Sequence, residues 1–253
     1  MPQTKPGKHT PYYELLEAQA KAGCPICRLV YKATDRYLDS LLYEAVLDPE
    51  VRAKLKQAQG FCAEHVEMLG RRPGRALGIA LIYRDIIRAA IIMAEKAKLE
   101  KVGRGLKALF SKSRSGSILA HKLRTSRVCP ACQIGAESEH NNLELMLVHI
   151  EDTEFQQGYA SGEGLCLAHL ISVLELASTP GEVHSLVDPQ VARYRTMLHE
   201  LDEFIRKRDH RFRLEPMGDE GDVWLRAMNA IVGGAGQGLN ARSGGRHSDL
   251  DER

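Results

Sequence analysis

The chain has 253 residues, of which 43% are hydrophobic, 27% charged and 6% aromatic. This is an ordinary globular composition for one large domain or two small ones, with a core of Leu, Ile, Ala and Val rather than aromatic residues. The formal net charge of +2 is too small by itself to favour nucleic acid or an acidic partner.

No segment predicts a secretory leader or a membrane span. The first ten residues lack an apolar stretch, so we expect the chain to reside in the cytosol. The longest apolar stretch, 76–94, is interrupted by Arg84, Asp85 and Arg88. Three charges in mid-span are costly in lipid, so this stretch is predicted to be a buried helix.

Apolar residues recur at helical spacing along the chain, and no stretch shows the sustained alternation of a strand. The sequence therefore predicts an all-α fold, a bundle of two pseudo-repeats. The predicted helices, in chain order, begin at Thr10-Pro11, at Cys24-Pro25, at Asp48-Pro49, at Phe61-Cys62, after Arg72-Pro73-Gly74, at Cys129-Pro130, at Thr153, at Leu165-Cys166, at about Asp188 (ending near Arg208) and around Trp224.

Composition divides the chain into five segments. Residues 1–9 are predicted to be a flexible arm and 234–253 a disordered tail rich in Gly and Ser. Between them we expect a first helical repeat over 10–115, a second over 116–215 and a C-terminal helix over 216–233. Trp224 is expected to anchor that last helix in a groove of the bundle.

The strongest pattern is a motif pair that occurs twice. In each copy a Cys-Pro-x-Cys motif is followed by a Gly-x-Cys-x-x-His motif. The spacing from the second cysteine to the third is 35 positions in the first copy and 34 in the second. Every cysteine of the chain falls in this pattern, which indicates duplication. The residues are Cys24, Cys27, Cys62 and His65, then Cys129, Cys132, Cys166 and His169.

Three thiolates and one imidazole form a standard closed shell for tetrahedral zinc. Helix N-termini suit such ligands, because the free amides and the positive helix end stabilise thiolate charge. We therefore predict two Zn²⁺ ions, one for each copy of the motif pair, with each copy's own quartet clipping two helix starts together.

Three other interpretations of the cysteines exist. A thioredoxin-like redox pair needs a βαβ context, which the sequence lacks, and leaves both histidines without a role. An iron–sulfur cluster also takes such ligands, although the spacing matches neither common ferredoxin pattern. Inert buried cysteines would not explain two copies in register. Function then divides between a non-enzymatic, metal-stapled scaffold and, as the alternative, a redox or metal-sensing protein with iron–sulfur clusters or CxxC thiols.

The doubled motif pair, followed by a Trp-bearing helix, resembles a prokaryotic family described as a domain of unknown function. The resemblance spans about residues 11–233 and rests on the eight Cys and His residues and, more weakly, on Trp224. It implies a helical metal-binding protein and brings no established activity.

Charge is concentrated in 96–127, which has ten Lys or Arg residues and one acid. This connector is a candidate for binding nucleic acid or another anionic polymer through phosphates, although Phe110 is its one aromatic residue and base stacking has little support. The alternative partner is a protein. The candidate anion-binding residues are Lys101, Arg104, Lys107, Lys112, Arg114, Lys122 and Arg124.

No nucleophile elbow, P-loop, dinucleotide fingerprint or HExxH motif occurs, so no catalytic residue is predicted. Glu137 and His140 form one Glu-x-x-His step, but a di-iron site needs two, and His140 is predicted to be a surface residue.

Overall fold

The computed structural model describes residues 8–102, 120–121, 123–124, 127–212 and 214–234. All regular secondary structure in these residues is helical, which confirms the predicted all-α class. A short 3₁₀ turn, Asp219–Asp222, precedes the last helix. The helices are α1 Thr10–Gln19, α2 Pro25–Glu44, α3 Pro49–Ala58, α4 Ala63–Gly70, α5 Ala76–Val102, α6 Pro130–His149, α7 Thr153–Ser161, α8 Leu167–Leu176, α9 Pro180–Lys207 and α10 Val223–Val232.

Helix α3 shows how local sequence sets the helix ends. The Asp48 carboxylate accepts hydrogen bonds from the backbone N–H groups of Glu50 and Val51, at 2.7 and 3.1 Å. Pro49 occupies the first turn, where a missing N–H costs nothing. The helix ends where Gln59 adopts a left-handed conformation with φ 58°, and Gly60 follows with φ 91°.

Helix α9 begins at Pro180, not at about Asp188 as the sequence predicted. Thr179 Oγ1 accepts from the Glu182 N–H at 3.2 Å, and the Glu182 carboxylate accepts from the Thr179 N–H at 3.1 Å. Because of this capping box, the helix starts at Pro180, about eight residues earlier than the sequence predicted. Pro189, which the prediction placed at the helix start, lies inside the helix.

The chain forms two compact units, and they do not follow the two sequence repeats. Unit 1 consists of Met1–Lys32 and Ala136–Arg253, and unit 2 consists of Ala33–Gly135. Helices α2 and α6 each contribute residues to both units.

Unit 1 has a core built from α1, α2, α6, α7, α8 and α9. Its larger members are buried at 1% exposure or less, so each contributes roughly 1.5–3 kcal/mol of hydrophobic stabilisation. Tyr12 packs edge-on against the ring of His149 at 4.7 Å between centroids, and His149 is itself buried. Those core side chains are Tyr12, Leu15, Ile26, Met146, Ile150, Phe155, Tyr159, Leu165 and Leu186.

Unit 2 has a smaller core, in which α2 to α6 meet. Arg72, after α4, ties this core to α2, because its guanidinium donates to the backbone carbonyl of Asp35 at 2.8 Å and to the carboxylate of Asp39 at 3.3 Å. The buried side chains are Leu38, Leu41, Leu42, Leu55, Leu69, Ile82 and Ala131.

Helix α10 is anchored at its N-terminal end. Val223 is fully buried, and the Glu220 carboxylate in the preceding turn accepts from the Lys207 ammonium at 2.6 Å. Trp224 is 46% exposed, so the expectation that it anchors this helix in a groove is wrong. The smaller, β-branched Val223 is the residue that points into the core.

No helix in the described ranges is both long enough and apolar enough to cross a membrane.

The Glu220 carboxylate should make stability depend on acid pH. Hydrogen bonds from the Gly218 N–H and the Lys207 ammonium lower the pKa of Glu220 to about 2, against about 4.3 for an unfolded chain. Its contribution is therefore complete above about pH 4.3 and is lost as the pH falls through about 2. We expect Glu220→Gln to be less stable than wild type at pH 7, and the difference to close by about pH 2.

The measurement is urea unfolding of both proteins at each pH. The difference between them cancels any acid effect that they share. Glu175→Gln, on an exposed position of α8, is the control. A difference that stays constant with pH would contradict the assigned role of this carboxylate.

Candidate metal centres

Four helix N-termini carry the eight Cys and His residues. Cys24 and Cys129 come directly before Pro25 and Pro130, the first residues of α2 and α6. Cys62 and Cys166 are the N-cap residues of α4 and α8, and each histidine follows within the first turn. Backbone N–H groups at these ends have no partner inside the helix, so they favour thiolate over thiol.

The first group, called site A, is Cys24, Cys27, Cys166 and His169. Its four ligand atoms lie within 4.8 Å of one another. His169 Nδ1 is 3.4 Å from the sulfurs of Cys24 and Cys27 and 3.1 Å from that of Cys166, while the Cys27 and Cys166 sulfurs are 3.8 Å apart. All four residues belong to unit 1.

The second group, called site B, is Cys62, His65, Cys129 and Cys132, and its ligand atoms also lie within 4.8 Å of one another. His65 Nδ1 is 3.0, 3.7 and 3.5 Å from the sulfurs of Cys62, Cys129 and Cys132. The Cys62 and Cys132 sulfurs are 3.6 Å apart. All four residues belong to unit 2.

The structure brings all eight residues into two groups of four but corrects their partition. We expected Cys24 and Cys27 to meet Cys62 and His65 of the same copy. Instead, the Cys-Pro-x-Cys motif of each copy meets the Cys-x-x-His motif of the other. Both partitions give the same donor set, so motif chemistry could not separate them, and the shorter loop of 35 positions favoured the local pairing.

The distances fit a single tetrahedral ion in each group. Bonds of about 2.3 Å to sulfur and about 2.0 Å to nitrogen give edges of about 3.8 Å between sulfurs and about 3.5 Å between sulfur and nitrogen. The Cys27–Cys166 and Cys62–Cys132 sulfurs are 3.8 and 3.6 Å apart, the sulfur–nitrogen distances are 3.0 to 3.7 Å, and every pair of donor atoms within a group lies within 4.8 Å. All six cysteines are free, whereas a disulfide needs its sulfurs about 2.05 Å apart.

Site A by itself favours one thiolate beside a protonated imidazole. Hydrogen bonds from Cys24 and Cys27 lower the pKa of Cys166 far below that of an ordinary thiol, and the bond to Cys166 raises the pKa of Cys27. Burial disfavours a charged His169, but hydrogen bonds to Cys166 and Cys24 outweigh it and raise its pKa to about 10. The first thiolate therefore forms easily, and further ones require a cation.

Site B has the same requirement. Burial raises the pKa of Cys132 to about 12, and hydrogen bonds with Cys62 and Cys129 act in the same direction. A divalent cation in contact with all three sulfurs removes this barrier, because it favours the deprotonated ligands.

The outer face of the site A histidine meets a carboxylate. Glu139 Oε1 lies 3.6 Å from His169 Nε2, and Ser172 donates a hydrogen bond to the same oxygen at 3.3 Å. A negative carboxylate on this side of the ring favours a proton on Nε2, which leaves Nδ1 to bind an ion. No sequence pattern marked Glu139 for this role, because the neighbouring Glu137 and His140 suggested only half of a di-iron motif.

The glycine of each Gly-x-Cys-x-x-His motif makes the turn into the ligand helix. Gly60 and Gly164 have φ of 91° and 75°, a region that disfavours other residues. A methyl group on Gly164 would lie 2.5 Å from Gln190 Oε1 and 2.6 Å from Arg193 Nη1. The glycine therefore provides both the backbone angle and the space.

Gln190 of α9 holds the residue before the Cys166 ligand. Its side-chain amide donates to the Leu165 carbonyl at 3.0 Å, and its carbonyl oxygen accepts from the Leu165 N–H and from the Tyr159 hydroxyl, both at 3.1 Å. Gln190 is 1% exposed, so these bonds are shielded from water. No sequence motif marked this residue as part of the site.

A cavity of about 550 Å³ lies beside site A. The loop 160–166 and Cys24 form one side, and faces of α9 and α10 form the other. The Glu163 carboxylate, in that loop, accepts from the Gly23 N–H at 2.7 Å and so joins the two segments that precede the ligands.

Neither donor group includes any other sequence-predicted residue among those that the structure describes. His140 is exposed and pairs with Glu144 at 3.1 Å, which confirms its assignment to the surface. Of the candidate anion-binding residues, Arg124 is exposed and Lys101 lies in α5. Arg104, Lys107, Lys112, Arg114 and Lys122 lie outside the described residues.

Residues 11–237 match the model of a family of unknown function, DUF6062. Because the match covers most of the chain, the protein belongs to this family. It is also similar to an uncharacterized 23.9 kDa protein in the xynA 3′ region of Caldicellulosiruptor sp. (strain Rt8B.4). That relative is 24% identical over 224 residues, which cover 87% of this chain and 99% of the relative. No solved structure matches the chain.

Paired ligand variants should distinguish the two partitions. We expect Cys27→Ser with Cys166→Ser to keep one bound metal ion per chain, since both ligands belong to site A. Cys27→Ser with Cys62→Ser should weaken both sites and retain less than one ion. The measurement is metal content after dialysis at a free zinc concentration that just saturates wild type. The reverse ranking would restore the within-copy partition.

Gln190→Leu should destabilise unit 1 and loosen site A. The substitution leaves the buried N–H and C=O of Leu165 without partners, at about 1–3 kcal/mol each, so we expect a loss of about 2–5 kcal/mol in urea unfolding. Tyr159→Phe is the control, because it removes one hydroxyl and spares both Leu165 bonds. Equal losses in the two variants would contradict the role assigned to Gln190.

Proposed function

We propose that the protein is a non-enzymatic helical scaffold held together by two structural Zn²⁺ ions, one in each site. The observation that carries this proposal is the compactness of the two donor sets, each with three sulfurs and one imidazole nitrogen within 4.8 Å. Zinc accepts this donor set in a tetrahedral shell, and four protein ligands leave no open position for a substrate or water.

The placement of the sites supports a structural role. Site A joins residues 145 positions apart in the chain, Cys24 and His169, and site B joins Cys62 to Cys132, 70 positions apart. Binding of structural zinc is worth on the order of 10 kcal/mol, which is as large as the net stability of a typical domain. The ions would therefore account for much of the stability of both units.

The compactness also weighs against the alternative interpretation. An iron–sulfur cluster distributes its cysteine ligands over several iron atoms, so their sulfurs lie farther apart than around one ion. A CxxC redox pair does not use the histidine that contacts three sulfurs in each site. Structural zinc requires all four donors in each group.

A scaffold needs a partner, and two surfaces of unit 2 are candidates. Helix α5 exposes Ile87, Ile91 and Ile92 at 58%, 51% and 44%, and an apolar face of this kind suits a protein partner. The basic segment 96–127, of which residues 96–102 belong to the same helix, suits an anionic polymer such as nucleic acid. We favour a protein partner, because the segment offers one aromatic residue for base stacking.

We further propose that the protein works in a reducing compartment such as the cytosol. Six free cysteines arranged for an ion stay reduced there, whereas an oxidising compartment would favour disulfides between sulfurs already 3.6 to 3.8 Å apart.

Metal analysis of protein purified without oxygen tests the proposal. We expect two zinc ions per chain, no visible absorption, and a large fall in melting temperature when a strong chelator removes them, because metal-binding energy becomes folding energy. Readdition of zinc should restore the two bound ions and the original melting temperature. Iron with sulfide and a visible absorption band would support the iron–sulfur form of the alternative function instead. Purified protein that binds no metal would refute both metal-based functions and leave CxxC thiol chemistry as the alternative.

A further inference from the structure

Gly233, the first residue after α10, lies against site A. Its backbone has φ 88° and ψ 166°, a conformation found almost only in glycine. A methyl group on Gly233 would lie 3.0 Å from the Cys27 sulfur and 3.2 Å from the Cys166 sulfur. The main chain at the end of α10 thus packs on two of the four donors of the site.

The rest of α10 is held unevenly. Its first half is fixed by buried Val223 and by Arg226, which pairs with Glu200 at 2.7 Å. Along the helix, Met228 and Ile231 are 42% and 54% exposed, so they contribute less to its attachment than buried side chains would. The contact of Gly233 with the sulfurs is therefore one of the attachments of the C-terminal end.

We propose that α10 is a component of site A, and that occupation of site A by metal holds this helix in place. An ion fixes the Cys27 and Cys166 sulfurs at the spacing against which Gly233 fits. Without the ion, thiolates repel and thiols need room for their protons, so the sulfurs move and the packing surface is lost. This inference rests on the proposed binding of zinc.

The coupling would have a consequence for the surface of unit 1. Arg226, Asn229 and Ala230 of α10 line the cavity beside site A. Release of the helix would open that cavity and expose the half of the apolar side chains of Trp224, Met228 and Ile231 that is covered in the docked helix. The metal state of site A would then decide whether this helix is docked or available. Site B has no described counterpart of Gly233, because α10 belongs to unit 1.

Coupling between two sites is reciprocal, so a change in α10 must alter metal affinity. We expect Gly233→Ala, in the zinc-loaded full chain, to weaken one of the two ions by at least about fivefold in competition with a chromogenic chelator. The other ion should keep its wild-type affinity. Gly234→Ala is the matched control, because its methyl group would meet only the Asn229 side chain, at 3.1 Å.

The converse experiment follows the helix. Hydrogen exchange over 223–233, and fluorescence of Trp224, the one tryptophan in the chain, report its docking. Cys27→Ser should speed exchange there and shift the emission to the red, while Cys132→Ser, the matched change in site B, should do neither. Titration of wild type with chelator gives the same readouts without any substitution, in case a variant fails to fold.

The outcomes separate the inference from the function on which it rests. The protein could bind two zinc ions while the hydrogen-exchange protection of α10 stays the same on chelation. That result would overturn the coupling and leave the structural role of zinc intact. Unchanged affinity of both ions in Gly233→Ala would do the same. Absence of any bound metal in wild type would overturn both.

Discussion

The structure depends on the contact of three sulfurs and one imidazole nitrogen at each of two points. Such contacts are unfavourable without a cation, because burial and mutual repulsion oppose the second and third thiolates. Features around the sites reduce that cost before any ion binds. The sulfurs lie at helix N-termini, and in unit 1 Gln190 fixes the Leu165 backbone while the Glu139 carboxylate lies near the outer nitrogen of His169. Local structure in this protein is largely arranged around its donor atoms.

The exchange of motifs between the copies changes what the duplication means physically. Each copy supplies half of each quartet, so neither copy completes a site from its own residues. Helices α2 and α6 make this exchange possible, because each begins at the ligands of one unit and ends in the other unit. Closing a loop of more than a hundred residues costs only slightly more entropy than closing one of 35, because the cost grows with the logarithm of length. Distance along the chain was therefore a weak reason to prefer the local pairing.

The sequence predicted most helices and all members of the two groups, because those features depend on residues near each other in the chain. Pro25 and Pro130 mark helix starts, and Gly60 and Gly164 mark turns, whatever the tertiary structure. The partition of ligands, Gln190 and Gly233 depend on contacts between distant segments. The predicted C-terminal helix segment ended at residue 233, and nothing in the sequence marked the contact of Gly233 with the sulfurs. Gln190 had no feature that distinguished it from other glutamines. Trp224 was expected to anchor the last helix in a groove, while the neighbouring Val223 is the buried residue.

The reciprocal arrangement also constrains how the two sites respond to loss of metal. Site A gathers segments from both ends of unit 1, including the end of α10, whereas site B gathers segments within the continuous stretch of unit 2. An ion in site A therefore closes the larger loop and restrains more chain. A doubled loop adds only about 0.6 kcal/mol, so the larger difference between these chemically alike sites is that the end of α10 packs on site A. Similar donor sets on different connections give one chain two ions with different consequences, and the difference arises from topology rather than from the ligands.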